Sequence, residues 1–321
     1  PDVNHRIEKL PAGLYFVATP IGMARDITLR ALDILASADV IAAEDTRTMR
    51  RLLDIHGIAL GDRPLLAYHD HNGAHIRPKL LAFLAQGKAV AYGSEAGTPL
   101  IADPGFGLSQ AAVEAGALVT SAPGPSAIIA ALTLAGLPTD RFFFGGFLPN
   151  TQSQRRAALQ NYRDVPGTLV FYESPRRLAD CLAAMSAAFG PTRPVSVCRE
   201  LTKKFEEVRR GTLGPMAEAY ASEPAPKGEV VIVLGPPIAV ELSTETLDDA
   251  LSSALENHSL KDAVAAVAEA LEHGCGISNL RGIAPERFAP EDLRIALWGI
   301  GTHLGTAVSQ NSSGEFFAEV R

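Results

Sequence analysis

Short apolar runs alternate with amphipathic stretches through the first half of the chain. The run LYFVA at 14–18 predicts a buried strand, and the next stretch has apolar positions at helical spacing, at Leu29, Leu32 and Leu35. Asp26 or Thr28 could cap that helix. The same alternation predicts further strands at 40–43, 64–68, 89–92 and 117–120, and further helices at 46–56, 74–86 and 106–115. Short buried strands joined by helices are typical of a parallel-rich α/β sheet.

The pattern changes after Pro123. An apolar helix is predicted to open at 123–127, and short strands follow at 141–147, 168–172, 194–198, 205–212 and 229–234. We therefore predict an N-terminal α/β domain over 13–121 and a C-terminal α/β domain over 122–237. Amphipathic stretches predict a helical appendage over 238–272, and loss of periodicity predicts a weakly ordered tail over 273–321.

Length and composition favour a globular cytoplasmic protein. The chain has 321 residues, 47% of them hydrophobic, which is enough for two buried cores. No apolar run approaches the roughly 18 residues that a membrane helix needs, and the first ten residues are polar, unlike a secretory signal. Cys181, Cys198 and Cys275 are far apart, which indicates reduced thiols rather than disulfides or a zinc site.

The charge distribution leaves two interpretations open. The net charge is −7, which does not indicate a dedicated nucleic-acid-binding protein. Between residues 150 and 211, however, there are 11 Lys and Arg residues against 6 Asp and Glu residues. This local excess could form an RNA-facing surface, or it could simply solvate helices.

Several common catalytic motifs are absent or incomplete. The chain has no phosphate-binding GxxxxGK[ST] motif, and the dinucleotide-like start at Gly105 lacks its third glycine because Gln110 stands there. His69 and His71, with His75 nearby, could bind a metal ion. A polar loop is the more ordinary interpretation, since a closed metal site needs three or four ligands.

Three loops that follow strands indicate a small-molecule cleft. They are TPIG at 19–22, SEAGTP at 94–99 and PGPSA at 123–127. Ligands bind α/β sheets at the carboxyl ends of strands, and small residues there let the backbone approach a ligand closely. Ordinary strand-to-helix turns remain the alternative for each loop taken alone.

The longer motifs resemble one family of enzymes. Residues 14–51, SEAGTPLIADPG at 94–105, APGPSA at 122–127 and GLPTDRFFFGGFLP at 136–149 are similar to ribosomal RNA small subunit methyltransferase I, and so are FYESPRR at 171–177 and CRELTKKFEEVRRGTL at 198–213. The resemblance covers residues 13 to about 237. It implies a tetrapyrrole-methylase-like fold with a cleft for S-adenosylmethionine between two α/β domains, and a homodimer. It also implies 2′-O-methylation of a decoding-site cytidine in 16S ribosomal RNA, within the assembled small subunit.

The resemblance also implies roles for individual residues. The expected cofactor-binding residues are Pro20, Gly22, Ser94, Glu95, Ala96, Gly97, Thr98, Ser126, Ala127 and Tyr172. Met23 and Glu95 depart from the family pattern, which usually has Asn and Asp at these two positions.

Activation of a ribose hydroxyl needs a proton acceptor. The candidates are Glu44, Asp45, Glu173 and Lys203, with Glu200 and Glu206 nearby. For Glu44 and Asp45 a helix-capping role is the alternative.

The basic residues of the second half are the expected RNA contacts. They are Arg155, Arg156, Arg176, Arg177, Arg199, Lys204, Arg209 and Arg210. Phe147 and Tyr172 could stack on a base, although core packing is the more ordinary role. Two rival functions stay open at this point: methylation of a tetrapyrrole or another small molecule, and RNA binding by a catalytically weakened relative.

Overall fold

The computed structural model describes residues 4–237, and these form two sheets with helices packed against them. In chain order the strands and helices are β1 (Gly13–Val17), α1 (Leu29–Ser37), β2 (Val40–Ala43), α2 (Thr46–Ile55), β3 (Leu65–Ala67), α3 (Gly73–Ala85), β4 (Ala89–Gly93), α4 (Phe106–Glu114), β5 (Val119–Ala122), α5 (Ala127–Ala135), β6 (Phe142–Phe147), α6 (Gln152–Gln160), β7 (Thr168–Glu173), α7 (Leu178–Phe189), β8 (Pro194–Arg199), β9 (Glu207–Thr212), α8 (Leu213–Ser222) and β10 (Val230–Leu234). The predicted two-sheet α/β fold is confirmed.

The first sheet is wholly parallel, in the order β3-β2-β4-β1-β5. Alternate residues of β1 point to opposite faces: Tyr15 and Val17 pack with α1 and α2, whereas Leu14 and Phe16 pack with α3 and α4. Both faces are therefore covered, which explains why β1, β2 and β4 are continuous apolar runs. Thr28, rather than Asp26, caps α1, because its hydroxyl accepts from the backbone N–H of Ala31 at 3.2 Å.

The second sheet is mixed, in the order β6-β7-β10-β8-β9. Only β6 and β7 pair in parallel, and the other three pairings are antiparallel. Phe171 faces the core made with α6, α7 and α8, and Val170 faces α5 on the other side. The hydrophobic pattern predicted the strands of this half but missed these three helices.

The proposed domain limits stay predictions. The first sheet ends at Ala122 and the second begins at Phe142, with α5 between them along the chain. The predicted domains over 13–121 and 122–237 follow this division of strands. The predicted appendage over 238–272 and the tail over 273–321 lie outside the described residues.

Candidate active site

A pocket lies at the carboxyl ends of β1 and β4, against helix α2. Its volume is about 340 Å³, and its lining residues are Thr19, Pro20, Gly22, Ala24, Thr48, Met49, Arg51, Leu52, Ile55, Ser94 and Glu95. The carboxyl ends of parallel strands are where open α/β sheets bind ligands, and this volume is within the range of small-molecule pockets.

The loops after β1 and β4 are joined directly. Thr19 and Gly97 exchange two backbone hydrogen bonds, of 2.9 Å and 3.0 Å. The buried hydroxyl of Ser94 donates to the Gly97 carbonyl at 2.7 Å, and the Thr19 hydroxyl donates to the Ser94 carbonyl at 3.2 Å. These contacts fix the pocket wall although the two loops are about 75 residues apart in sequence.

The segment before α5 meets the same loops. The Thr98 hydroxyl donates to the Pro125 carbonyl at 2.9 Å. Gly97 has a φ of +84°, and a Cβ atom there would lie 3.3 Å from Cγ2 of Ile21 and 3.7 Å from the Pro125 carbonyl oxygen. Gly97 therefore supplies both the left-handed backbone and the close approach that bring the three predicted loops together.

The Glu44 side chain extends from the end of β2 to the loop that follows β4. Its Oε2 accepts from the backbone N–H of Glu95, a pocket residue, at 3.2 Å. Burial raises the pKa of Glu44; the hydrogen bond from Glu95 opposes this, and the nearby carboxylates of Asp103, Glu95 and Asp70 add to it. A half-buried carboxylate with a raised pKa beside a pocket is a stronger proton acceptor than an ordinary glutamate.

Comparison with known proteins places the chain in a family. Residues 13–217 match the family described as Tetrapyrrole (Corrin/Porphyrin) Methylases. A ribosomal RNA small subunit methyltransferase I from Mesorhizobium japonicum is 53% identical over 227 residues, which cover 71% of this chain and 76% of the relative. The protein of that name from Escherichia coli O157:H7 is 46% identical, over 69% of this chain and 77% of the relative. The chain belongs to the ribosomal RNA small subunit methyltransferase I family of tetrapyrrole methylases.

Solved structures agree on the fold of this family. A cobalt precorrin-4 methyltransferase superposes with a TM-score of 0.52 at 18% identity, covering 69% of this chain and 94% of that one. A diphthine synthase superposes with a TM-score of 0.54 at 17% identity, covering 69% and 89%. The methylases of the family use S-adenosylmethionine as methyl donor, so the predicted cofactor is confirmed.

Four of the ten residues predicted to bind the cofactor line the pocket, and the other six are not among its lining residues. Pro20, Gly22, Ser94 and Glu95 line the pocket. Ala96, Gly97 and Thr98 continue the Ser94 loop, and Ser126 and Ala127 form the start of α5. Tyr172 packs on the α5 side, edge-on to Phe144 and Phe147 with ring centroids 4.8 Å and 5.6 Å away, and burial raises its pKa to about 12.

The contribution of α2 to the pocket was not predicted from the sequence. Thr48, Arg51 and Ile55 line the pocket from this helix. Its apolar positions resemble those of any core-facing helix, so the pattern alone does not reveal a binding wall. The available signal was the pair Thr48 and Arg51, polar residues at i and i+3 on one helical face.

Asp45 caps helix α2. Its carboxylate accepts from the backbone N–H of Arg47 at 2.7 Å and from the Arg47 guanidinium at 2.8 Å. These bonds lower its pKa to about 2, which makes it a weak base. The capping alternative raised for this residue is thus the arrangement present.

Glu173 and Lys203 are each held in ion pairs. Glu173 is 3% exposed; its oxygens accept from the Ser174 N–H at 2.7 Å and from Arg177 at 3.1 Å. Lys203 Nζ lies 2.9 Å from Glu200 and 2.6 Å from Glu229. Burial lowers the pKa of Lys203, but these two carboxylates outweigh it and the pKa is raised overall. Lys203 is therefore a cation at neutral pH, not a neutral base.

The basic residues predicted to contact RNA differ in their exposure and in whether they bind other groups of the fold. Arg156, Arg176 and Lys204 are exposed, and none of them forms an ion pair within residues 4–237. The others are engaged within the fold. Arg155 is 4% exposed and donates to the carbonyls of Pro149 and Asn150. The remaining partners are Glu173 for Arg177, Glu207 for Arg199, Glu207 and Glu223 for Arg209, and the Leu134 carbonyl for Arg210.

The histidines form no metal cluster in the described part of the chain. His69 and His71 lie in the loop after β3 with ring centroids 6.0 Å apart. No group of three or more potential metal ligands occurs among residues 4–237. The same residues include no helix with the length and apolarity needed to cross a membrane.

Proposed function

We propose that this chain transfers a methyl group from S-adenosylmethionine to the ribose 2′-oxygen of a decoding-site cytidine in 16S ribosomal RNA. The observation that carries the proposal is the 42–53% identity to relatives named ribosomal RNA small subunit methyltransferase I. The strand-end pocket, the carboxylate beside it and the exposed cations of the second half support it independently.

The pocket fits the methyl donor in size and chemistry. Gly22 brings bare backbone to its wall, and Gly93 makes room beside it, because a Cβ at Gly93 would collide with Met49. Arg51 and Glu95 offer opposite charges on the lining, which suit the carboxylate and the ammonium group of a methionine moiety. Thr48 and Ser94 add hydroxyl groups for a nucleoside.

Proton removal from the ribose hydroxyl falls to Glu44 in this proposal. S-adenosylmethionine, when bound, supplies a methyl carbon attached to a positively charged sulfur. The Glu44 carboxylate would accept the 2′-hydroxyl proton as the ribose oxygen attacks that carbon, and the electron pair of the carbon–sulfur bond would leave with sulfur. Alignment of oxygen, carbon and sulfur by the pocket loops is worth about 7–11 kcal/mol of the barrier. Asp45, Glu173 and Lys203 are instead assigned to positioning, since each is already paired.

RNA binding is assigned to the exposed cations of the second half. Arg156, Arg176 and Lys204 would neutralise phosphates, whereas the paired arginines hold the surface in shape. A cytoplasmic homodimer acting on the assembled 30S subunit completes the proposal, and these points rest on the family resemblance.

The test uses small subunits from a strain that lacks the protein. They are incubated with the purified chain and S-adenosylmethionine carrying a labelled methyl group, and the label is mapped by nuclease digestion and mass spectrometry. Label on one ribose 2′-oxygen at the decoding site is the expected result. Label on a base, or none from a chain that binds the cofactor, would refute it and make a small-molecule acceptor the next substrate to assay.

A further inference from the structure

The loop between β8 and β9, residues 200–206, is held in an uncommon conformation. Glu200 and Thr202 have φ angles of +52° and +63°, a region that residues other than glycine rarely adopt. Leu201 between them is 6% exposed and packs in the core against α5. Strain of this kind persists only where the surroundings enforce it.

Several side-chain contacts enforce that conformation. The Thr202 N–H donates to Glu206 Oε2 at 2.7 Å, and Lys203 bridges Glu200 and Glu229. Gly228, with φ +98°, leaves the space that Glu200 occupies, because a Cβ there would collide with the Glu200 carboxylate. The loop is therefore a fixed element and not a loose connection.

The loop is fixed against the pocket loop. A Cβ on Gly22 would lie 2.7 Å from the Thr202 hydroxyl and 2.5 Å from Cγ of Lys203. The backbone N–H of Met23 donates to the same Thr202 hydroxyl at 3.2 Å. Whatever the loop displays is thus held next to the pocket wall.

The loop displays an aromatic ring and a cation. Phe205 is 63% exposed, although Leu201 of the same loop is buried. The Lys204 Nζ lies 5.5 Å from the centre of the Phe205 ring, and no carboxylate within residues 4–237 pairs with this ammonium group. An exposed aromatic ring beside an unpaired cation is the combination that proteins use to bind unpaired nucleotides.

We propose that Phe205 and Lys204 form a binding platform for an unpaired nucleotide of the RNA substrate, with the base stacked on Phe205 and a phosphate on Lys204. The inference rests on the proposed function and deepens it by naming the part of the chain that positions the acceptor nucleotide. RNA is favoured over a protein partner because the platform carries a cation with no carboxylate partner among residues 4–237 and adjoins the methyl-donor pocket.

The test compares Phe205→Ala, Phe205→Trp and the control Phe142→Ala in the full-length chain. Phe142 is also an exposed aromatic, at 44%, but it lies at the start of β6. Phe142 pairs with Thr168 at the start of β7. The other end of β7, at Glu173, aligns through Val230 of β10 with Arg199 at the end of β8, where the platform loop begins. Phe142 therefore lies at the opposite end of the sheet from the platform. The readouts are steady-state methyl transfer to unmodified small subunits, direct titration of S-adenosylmethionine, and sedimentation of the free protein.

We expect Phe205→Ala to raise the KM for small subunits about tenfold, the size of effect that loss of one base stack produces. Phe205→Trp should restore the KM, Phe142→Ala should leave it unchanged, and cofactor affinity should be the same in all four proteins. Lys204→Gln should reduce the salt dependence of subunit binding by about one counterion.

Two results would overturn the platform. An unchanged KM in Phe205→Ala would show that the ring does not contact the substrate, and a change in sedimentation would show that it packs against a second copy of the chain. Failure of the wild-type protein to methylate small subunits would refute the proposed function instead, so the two failures are distinguishable.

Discussion

The two sheets present their ends differently, and the difference decides where chemistry is possible. In the first sheet every strand runs in the same direction, so the loops after β1, β2 and β4 reach one edge and bring Thr19, Glu44 and Ser94 together. In the second sheet β9 and β10 run opposite to β7 and β8, so each end of that sheet has carboxyl ends of some strands beside amino ends of others. A parallel sheet concentrates polar strand ends at one place, whereas a mixed sheet disperses them.

The two halves also differ in how their charges are used. Four basic residues of the second half, Arg177, Arg199, Lys203 and Arg209, form ion pairs with carboxylates, such as Arg199 with Glu207 at 2.9 Å. Near the pocket of the first half, Glu44 and Glu95 are adjacent acids whose carboxylates form no ion pair among the described residues. Charged side chains that form ion pairs are therefore candidates for a structural role, and those without a partner are candidates for a functional role.

The largest effect expected in the first half is that of Glu44→Gln. Loss of the proton acceptor should lower kcat about 100-fold or more, with unchanged affinity for S-adenosylmethionine. The pKa of Glu44 is raised in the folded state, so its charge destabilises the fold at neutral pH and this penalty disappears below the unfolded pKa. The variant should accordingly lose no stability at pH 7, as measured by urea unfolding.

The pH profile sharpens the same point. In the wild type, kcat should fall as the pH drops through the raised pKa of Glu44, and in Glu44→Gln this limb should vanish. Asp45→Asn is the matched control, because the Asp45 carboxylate is next to Glu44 in the sequence but is bound to the backbone N–H of Arg47 at the start of α2. A Glu44→Gln enzyme with kcat within twofold of the wild type would remove Glu44 from the mechanism.

A glycine pair tests the convergence of the pocket loops. Gly97→Ala and Gly87→Ala both place a side chain at a positive φ, of +84° and +76°, at a cost of about 1–2 kcal/mol each. Only at Gly97 does the new Cβ approach other pocket loops, at Ile21 and Pro125. Affinity for S-adenosylmethionine, measured by calorimetry, should fall about tenfold in Gly97→Ala alone. Equal losses in both variants would mean that strain, and not loop contact, sets the affinity.

Neighbouring arginines on α6 test the second half. Arg155 is buried and donates hydrogen bonds to two backbone carbonyls. Arg155→Ala should therefore lower the free energy of unfolding by about 1–3 kcal/mol. Arg156 is exposed, and Arg156→Ala should change stability by less than about 0.5 kcal/mol while reducing the salt slope of RNA binding by about one. Urea unfolding and binding at several salt concentrations give both numbers. A lower salt slope in a fully folded Arg155→Ala protein would contradict the assignment.

The smallest effect is expected at the cap of α2. Asp45→Ala should lower the melting temperature, and Asp45→Asn should largely retain it because asparagine also caps helices. The folded pKa of Asp45, about 2, is below its unfolded value, so its contribution is present above the unfolded pKa and is lost as the pH falls through 2. Thermal melts at pH 7 and pH 2 test this, and a difference between wild type and Asp45→Ala that is larger at pH 2 would be the contrary result.

The first half was far more predictable than the second. Its strands β1, β2 and β4 are continuous apolar runs because both faces are covered, and its helices α1 and α2 have the amphipathic contrast that periodicity detects. In the second half, α7 has the sequence LADCLAAMSAAF, which is apolar almost all round, and α6 is largely polar yet buries Arg155. The hydrophobic pattern missed both helices.

Local composition and motifs along the chain were enough to predict the succession of strands and turns, the three strand-end loops, and the family with its cofactor, because each of these is encoded in consecutive residues. The folded structure was needed to show that α2 lines the pocket, that Glu44 accepts a hydrogen bond from the Glu95 loop, and which arginines form no ion pair within residues 4–237. These facts depend on contacts between residues far apart in the chain, such as Glu44 and Glu95. Such contacts are set by strand order, which the hydrophobic pattern does not encode.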